Sequence, residues 1–129
     1  MCLRGSSEVE EKLFEREPSP HLRGYAVWVP MHRANESQVA TATATARDPR
    51  IAQFWDAHGT ELVAFRAPLG LTSDAWDVYL LYPPGVRWDG PTPPPPTFWM
   101  HQLDSLSGST IPRLDGAVLA THAHALLPR

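Results

Sequence analysis

The sequence predicts a mixed α/β domain in which helices flank a central sheet. Residues 75–82 (AWDVYLLY) form an aromatic and aliphatic run that ends at Pro83 and Pro84, which is typical of a buried strand with a firm stop. We expect this strand to be central. Residues 25–29 (YAVWV) form a second run of the same kind and end at Pro30. Amphipathic stretches between and around the two runs indicate the helices.

Length and charge limit the possible classes of function. A chain of 129 residues, of which 43% are hydrophobic, can form one globular core without disulfides or metal. Its 11 basic and 14 acidic residues give a net charge of −3 and form no basic cluster, so we expect no nucleic-acid partner. The sequence has neither an apolar run of 18 residues nor a signal-peptide pattern, which predicts a cytoplasmic protein without a membrane partner.

Two helices are expected before residue 48. Residues 7–10 have the spacing of a capping box, which predicts a helix that Pro18 ends. A second helix is expected over residues 39–46, with Asn35 or Ser37 as its cap.

A third helix is predicted between residues 48–50 (DPR) and Gly59. Aspartate caps helices well, proline suits the first helical position, and glycine commonly follows the last turn. Residues 51–58 carry apolar side chains at helical spacing. Residues 61–67 can form either a short helix or an extended connection.

The prolines after residue 82 suggest how the second half is organised. We expect a hairpin in which residues 86–88 return antiparallel to 75–82 after the turn at 83–85. Residues 91–96 are predicted to form a polyproline spacer, and residues 97–103 a short helix that closes the core.

Several segments together resemble a group of bacterial thioredoxin-like proteins, and the resemblance covers residues 2–103. It implies a thioredoxin-like fold whose first, central strand is missing, which would leave unpaired strand edges. The corresponding domain is residues 1–104, followed by a tail or terminal helix over residues 105–129. The segments that carry the resemblance are residues 2–5 (CLRG), 27–31 (VWVPM), 48–50 (DPR), 54–56 (FWD) and 76–82 (WDVYLLY).

The resemblance implies thiol–disulfide chemistry at Cys2, the single cysteine. Thioredoxin-like oxidoreductases carry a Cys-x-x-Cys motif and a cis-proline before the third strand, whereas Asp74 and Ala75 stand before the corresponding strand here. If Cys2 is the second cysteine of such a motif, the first lies upstream of Met1. We therefore expect a natural start upstream, and a redox function that is degenerate or truncated in this chain.

Cys2 precedes a predicted helix, and the positive end of a helix dipole lowers the pKa of a nearby thiol. The alternative is an ordinary thiol at a loosely held chain end. A single thiol permits only chemistry such as mixed disulfide formation, with a thiol or disulfide protein as partner. At most we expect a thiol–disulfide oxidoreductase-like activity, without a cofactor.

The histidines suggest weaker hypotheses. His101 and Asp104 could form an ion pair. His122 and His124 suggest a metal site, but side chains two residues apart on a helix point in different directions. We therefore expect no metal site. The loop at residues 32–36 could line a substrate cleft or simply be a polar loop.

The five tryptophans are expected to pack rather than to bind a ligand. Trp28, Trp55 and Trp76 lie in periodic apolar segments and are predicted to be core residues. Trp88 and Trp99 flank the proline run, which could bind a partner but is expected to pack on these two indoles.

Three functional hypotheses remain. The chain could be a thiol-redox protein of the thioredoxin-like type, a redox-inactive thioredoxin-like binding or scaffold module, or a metal-handling protein. We favour the first, by fold-level analogy.

Overall fold

The computed structural model describes residues 3–129 and shows a mixed α/β architecture. The strands are β1 (Gly24–Trp28), β2 (Ile51–Trp55), β3 (Val78–Leu81) and β4 (Phe98–His101). The helices are α1 (Leu3–Val9) with a π-helical continuation (Glu10–Phe14), α2 (Val39–Thr43), α3 (Thr60–Ala64), α4 (Arg66–Leu69) and α5 (Gly116–Leu126). Short 3₁₀ turns cover Glu36–Gln38 and Asp104–Leu106.

The strands form two separate sheets of two strands each. β1 and β2 are parallel, with Gly24 beside Ile51, whereas β3 and β4 are antiparallel, with Val78 beside His101. The predicted α/β class is confirmed, and so are the predicted strands at residues 25–29 and 75–82. Residues 75–82 were expected to form a central strand. This expectation is wrong, because β3 pairs only with β4 among the described residues.

The helix predicted after residues 48–50 is wrong, because residues 51–55 form strand β2. The Asp48 carboxylate accepts the Arg50 N–H at 2.9 Å in a local turn, and the Ile51 N–H bonds the Asp48 carbonyl at 3.0 Å. This turn leads the chain into an extended segment rich in isoleucine, phenylalanine and tryptophan, which favour strands. The apolar residues thus alternate between two faces of a sheet.

The predicted partner of β3 is also wrong. Strand β4, not residues 86–88, returns beside β3, and it occupies most of the predicted helix at 97–103. The proline run is too poor in N–H donors to continue a ladder, so it spans the connection between the two strands. The Tyr82 hydroxyl anchors that run by donating to the Pro94 carbonyl at 2.9 Å.

Other helices follow the sequence with shifted boundaries. The first helix begins by Leu3 rather than at Ser7. Asn35 is confirmed as a cap, because its side chain accepts the Ser37 N–H at 2.9 Å, and Gln38 completes a capping box. The predicted second helix is confirmed over Val39–Thr43. Residues 61–67 are largely helical, and the C-terminal segment forms α5.

The helical segment 3–14 lies in the middle of a helix layer. On one side the Thr45 hydroxyl, just after α2, donates to Ser6 Oγ at 2.9 Å. On the other side the amide of Gly116, the first residue of α5, donates to Glu8 Oε1 at 3.0 Å. The segment therefore holds α2 and α5 apart.

Helices α2 and α5 each contact one strand. The side chain of Gln53, in β2, donates to the carbonyls of Thr43 and Ala46 at the end of α2, at 3.2 and 2.7 Å. The ring of Phe98, in β4, stacks on His122 of α5, with centroids 3.7 Å apart. The β1–β2 sheet therefore contacts α2, and the β3–β4 sheet contacts α5.

The hydrophobic core joins both sheets to the helix layer. Leu13, Phe14, Leu22 and Ala123 are buried together. Ile51 of β2 and Leu81 of β3 pack against this cluster from the two sheets. Neither two-stranded sheet is stable alone in water, so each depends on this shared core.

Arg50 fastens the end of the first helical segment to the start of β2. Its Nη2 donates to the Phe14 carbonyl at 2.6 Å, and its Nη1 donates to the carbonyls of Glu17 and Ser19 at 2.5 and 3.0 Å. Its Nε and Nη2 also bond the Asp48 carboxylate, at 2.8 and 2.7 Å. The guanidinium therefore satisfies carbonyls that the helix end leaves unpaired.

Within residues 3–129, no helix is long and apolar enough to cross a bilayer.

We predict that Arg50→Lys lowers the free energy of unfolding by about 2–4 kcal/mol, because an ammonium cannot reproduce the planar fork of donors. Arg87→Lys is the matched control, since Arg87 is exposed and, within residues 3–129, bonds only Asp89. Urea unfolding of both variants measures the effect. Equal, small losses of unfolding free energy in the two variants would show that Arg50 does not anchor the helix end.

The Asp48 carboxylate gives a second prediction. Its hydrogen bonds from Arg50 hold the pKa of Asp48 at about 2, below the ordinary 3.8. Because this pKa is depressed in the folded state, the stabilisation is present above pH 3.8 and is lost as the pH falls towards 2. Asp48→Asn should therefore lower the melting temperature at pH 7 and have little effect at pH 2. An equal loss at both values would contradict this electrostatic account.

Candidate functional site

Three elements meet at one end of the molecule, where α1 begins, β1 ends and β3 begins. A side-chain carbon added to Gly5 of α1 would lie 1.6 Å from the hydroxyl oxygen of Tyr79 in β3. After β1, the His32 ring meets the Trp76 ring edge to face at 4.6 Å. We call this group of residues, together with Asp77, the α1 edge.

The backbone at the α1 edge is bent in a way that non-glycine residues seldom adopt. His32 and Arg33 have φ values of 51° and 63°, and Asp77 has 55°. The two consecutive positive angles turn the chain directly after β1, and Asp77 turns it directly before β3. Left-handed non-glycine residues cluster at functional sites, which makes the α1 edge the strongest candidate.

The side chains of Asp77 and Tyr79 hold each other in place through a hydrogen bond. The Tyr79 hydroxyl donates to Asp77 Oδ1 at 2.6 Å, and both side chains are only half-buried. Asp77 thus supplies a negative charge close to the first turns of α1, where the helix dipole favours anions.

A pair of carboxyl groups follows β2. The Asp56 N–H donates to the Trp28 carbonyl at 2.9 Å, which places Asp56 at the carboxyl ends of both parallel strands. Its carboxylate accepts the N–H groups of His58 and Glu61 at 3.2 and 3.0 Å. Ligands of parallel sheets commonly bind at such strand ends.

The two carboxyl groups differ in acidity. The neighbouring Asp56 carboxyl raises the pKa of Glu61, and burial adds to this effect. Burial also tends to raise the pKa of Asp56, but hydrogen bonds from Glu61 and from backbone N–H groups outweigh it and lower that pKa. Glu61 Oε2 is buried and has no hydrogen-bond partner in the described part of the chain. This pair was not singled out from the sequence, because residues 48–59 were predicted to be helical.

Cys2, the predicted reactive residue, lies outside the described residues, so its role stays a prediction. It directly precedes Leu3, where the described part of α1 begins.

His101 and Asp104 do not pair. His101 is fully buried; its Nδ1 accepts the Leu103 N–H at 3.0 Å, and its Nε2 lies 3.2 Å from the Ile111 carbonyl. These partners fit a neutral imidazole with its proton on Nε2. His101 therefore has a structural role in the core.

His122 and His124 act separately. His122 stacks on Phe98, whereas His124 Nδ1 lies 2.7 Å from Glu17 Oε2. Over residues 3–129, no group of three or more histidine, cysteine and acidic side chains could hold a metal ion.

Of the predicted core tryptophans, Trp28 is buried, while Trp55 and Trp76 are half-buried. The Trp88 indole is 47% exposed and donates to the Gly90 carbonyl at 2.7 Å. Trp99 is half-buried in β4.

One face of the β1–β2 sheet carries uncovered apolar side chains. Tyr25 is 74% exposed, Val27 39% and Phe54 53%, and Ala52 is also exposed. We call these four residues the bare face. Sheets of parallel strands are usually covered on both faces, so the bare face is unusual. Residue patterns did not predict it, because residues 25–29 are continuously apolar.

An open groove of about 530 Å³ adjoins the bare face at the amino ends of β1 and β2. Its lining includes Pro18, Pro20, Arg23, Tyr25 and Ala52. The bare face therefore continues into a partly apolar depression.

No family model, no curated protein and no solved structure matches this chain.

We predict that Gly5→Ala destabilises the protein by about 1–3 kcal/mol, since the added methyl group would collide with Tyr79. Alanine is otherwise the better helix former, so a loss cannot come from helix propensity. Thermal unfolding measures the change. Gly90→Ala, at a position with open space around it, is the matched control.

A Tyr79→Phe background should reduce the cost of Gly5→Ala, because it removes the hydroxyl oxygen nearest the added carbon. Part of the cost should remain, because Tyr79 Cζ and Gln102 Oε1 would lie 2.6 and 2.9 Å from the added carbon. Additive effects of the two substitutions would contradict a collision with the hydroxyl oxygen.

Proposed function

We propose that this chain is a thioredoxin-like protein whose Cys2 thiol reacts with a thiol or disulfide of a protein partner. The observation that carries the proposal is the arrangement of the described elements. A helix precedes two parallel strands, an antiparallel pair follows, and a closing helix, α5, lies beside the first helix. This order of helices and strands supports the proposal, although β2 and β4 lie where the sequence predicted helices.

The α1 edge supports a reactive role for Cys2. Residue 2 directly precedes the helical segment 3–14, whose positive dipole end lies at its first turn. A thiol near such an end has a lowered pKa and forms the thiolate nucleophile more readily. Asp77 lies close to the first turns of α1 through Tyr79, so we infer that its negative charge opposes this effect.

The proposed reaction is thiol–disulfide exchange. The Cys2 thiolate attacks one sulfur of the partner's disulfide, a mixed disulfide forms, and the second partner sulfur leaves as a thiolate. This chain has one cysteine, so a thiol of the partner or of a third molecule must resolve the mixed disulfide.

A second candidate function is a redox-inactive binding module of the same fold. The bare face favours it, because a contiguous exposed apolar surface commonly marks a protein interaction site. Under this alternative Cys2 is an ordinary thiol.

We predict that the rate of Cys2 alkylation by iodoacetamide rises with pH around a midpoint clearly below about 8.5, the ordinary thiol value. Asp77→Asn should lower this midpoint further by removing a negative charge. Asp89→Asn, which changes an exposed aspartate paired with Arg87, should leave it unchanged.

Cys2→Ser must abolish labelling, since the chain has no other cysteine. The redox proposal would be contradicted, and the binding module favoured, by a pH midpoint near the ordinary thiol value that neither Asp77→Asn nor Asp89→Asn moves.

A further inference from the structure

A second groove lies between the first helical segment and the start of α5. Its volume is about 320 Å³, and its lining is polar or charged except at Leu114 and Ala117. The two walls are joined by a hydrogen bond, because Glu8 Oε1 accepts the Gly116 N–H at 3.0 Å. We call it the basic groove, after the three cationic residues in its lining, Arg4, Lys12 and Arg16.

The cations of the basic groove are not neutralised by ion pairs. Within residues 3–129, no ion pair joins Arg4, Lys12 or Arg16 to a carboxylate. Glu8 lies four positions from both Arg4 and Lys12, at a spacing that favours ion pairs on a helix. Its Oε1 accepts the Gly116 amide instead. The groove therefore offers three positive groups to an anionic ligand.

The helix has an unusual geometry where it lines the basic groove. Lys12 lies in the π-helical stretch Glu10–Phe14. Turns of this type are rare, and they are frequent at functional sites. The stem of Lys12 is held against α5, because a side-chain carbon added to Gly116 would lie 2.7 Å from Lys12 Cβ and Cγ. This wall of the groove is therefore closely packed.

The charges of the basic groove change sign along its length. Arg4 and Lys12 are eight positions apart, which corresponds to roughly 12 Å along a helix axis, and Arg16 follows Lys12. Glu8 lies between Arg4 and Lys12, and Asp115 adds a carboxylate next to Gly116. The groove thus has a positive group towards each end and two carboxylates between them.

We propose that the basic groove binds a small, elongated molecule with a phosphate group at each end and hydroxyl groups between them, of the sugar bisphosphate class. Arginine binds phosphate oxygens through its planar fork of donors, and lysine binds them as a point charge. The carboxylates of Glu8 and Asp115 accept hydrogen bonds from hydroxyl groups. The volume of the groove lies in the range of small-molecule sites.

The same charges disfavour other ligands. Three cations repel a metal ion. A nucleic acid would place a continuous row of phosphates beside Glu8 and Asp115, and the net charge of −3 adds to this repulsion. A single phosphate occupies only one of the two positive ends. A ligand with two separated phosphates uses both.

The test measures binding of fructose 1,6-bisphosphate to the 129-residue chain by isothermal titration calorimetry at constant ionic strength. We expect saturable binding of one molecule. Fructose 6-phosphate, which lacks one phosphate, should bind about tenfold more weakly, and fructose should not bind measurably. Pyrophosphate should bind no more tightly than fructose 6-phosphate, because its adjacent phosphates cannot reach both ends.

Substitutions test the two ends separately. Arg4→Gln and Arg16→Gln should each lower the affinity for the bisphosphate about tenfold. Each should change the affinity for fructose 6-phosphate no more than about twofold, because the other end still binds the single phosphate. Arg87→Gln, which removes the same charge outside the groove, is the matched control and should leave both affinities unchanged. Circular dichroism and thermal unfolding check that each variant is folded.

Backbone amide shifts in NMR spectra locate the ligand and should change over residues 4–16 and 114–117. The proposal would be overturned by the absence of saturable binding, by equal affinities for the two fructose phosphates, or by an equal loss in Arg87→Gln. Tighter binding to phosphatidylcholine vesicles containing phosphatidic acid than to the free bisphosphate would also overturn it. That result would identify a lipid headgroup as the source of the phosphate.

Discussion

The guanidinium of Arg50 is the contact on which the rest of the structure depends. It bonds the carbonyl of Phe14 at the end of the first helical segment, the loop carbonyls that follow, and the Asp48 carboxylate before β2. Helix ends leave carbonyls without partners, and a buried unsatisfied carbonyl is costly. Arg50 supplies the donors and thereby fixes where the helix lies relative to the sheet.

The position of that helix determines where the α1 edge and the bare face lie. Its first turn approaches β3 at Tyr79, and its last turn packs on Gly24 at the start of β1. The helix thus bridges two sheets that share no described backbone pairing. The α1 edge lies where the first turn of the helix approaches β3, and the bare face is the exposed face of the β1–β2 sheet.

Much of the fold was predictable from the sequence, because apolar runs ending at proline marked β1 and β3, and Asn35 marked the start of the helical stretch that leads into α2. Strand β2 was not, because Asp48 and Pro49 are common both before helices and in turns, and only pairing with β1 decides between them. Strand β4 was missed for a similar reason, since its pairing with β3 crosses a long proline connection. The α1 edge depends on positive φ angles and on contacts distant in sequence, which residue patterns do not reveal.

The most direct test of this account is amide hydrogen exchange in the free protein at low concentration. In a two-stranded sheet β1 is hydrogen-bonded along one edge only, which requires alternating protection along β1. The amides of Gly24, Ala26 and Trp28, which face β2, should exchange slowly, and those of Tyr25 and Val27 should exchange quickly. Uniformly slow exchange at all five amides would contradict the account, because it would mean that the edge of β1 away from β2 is also paired.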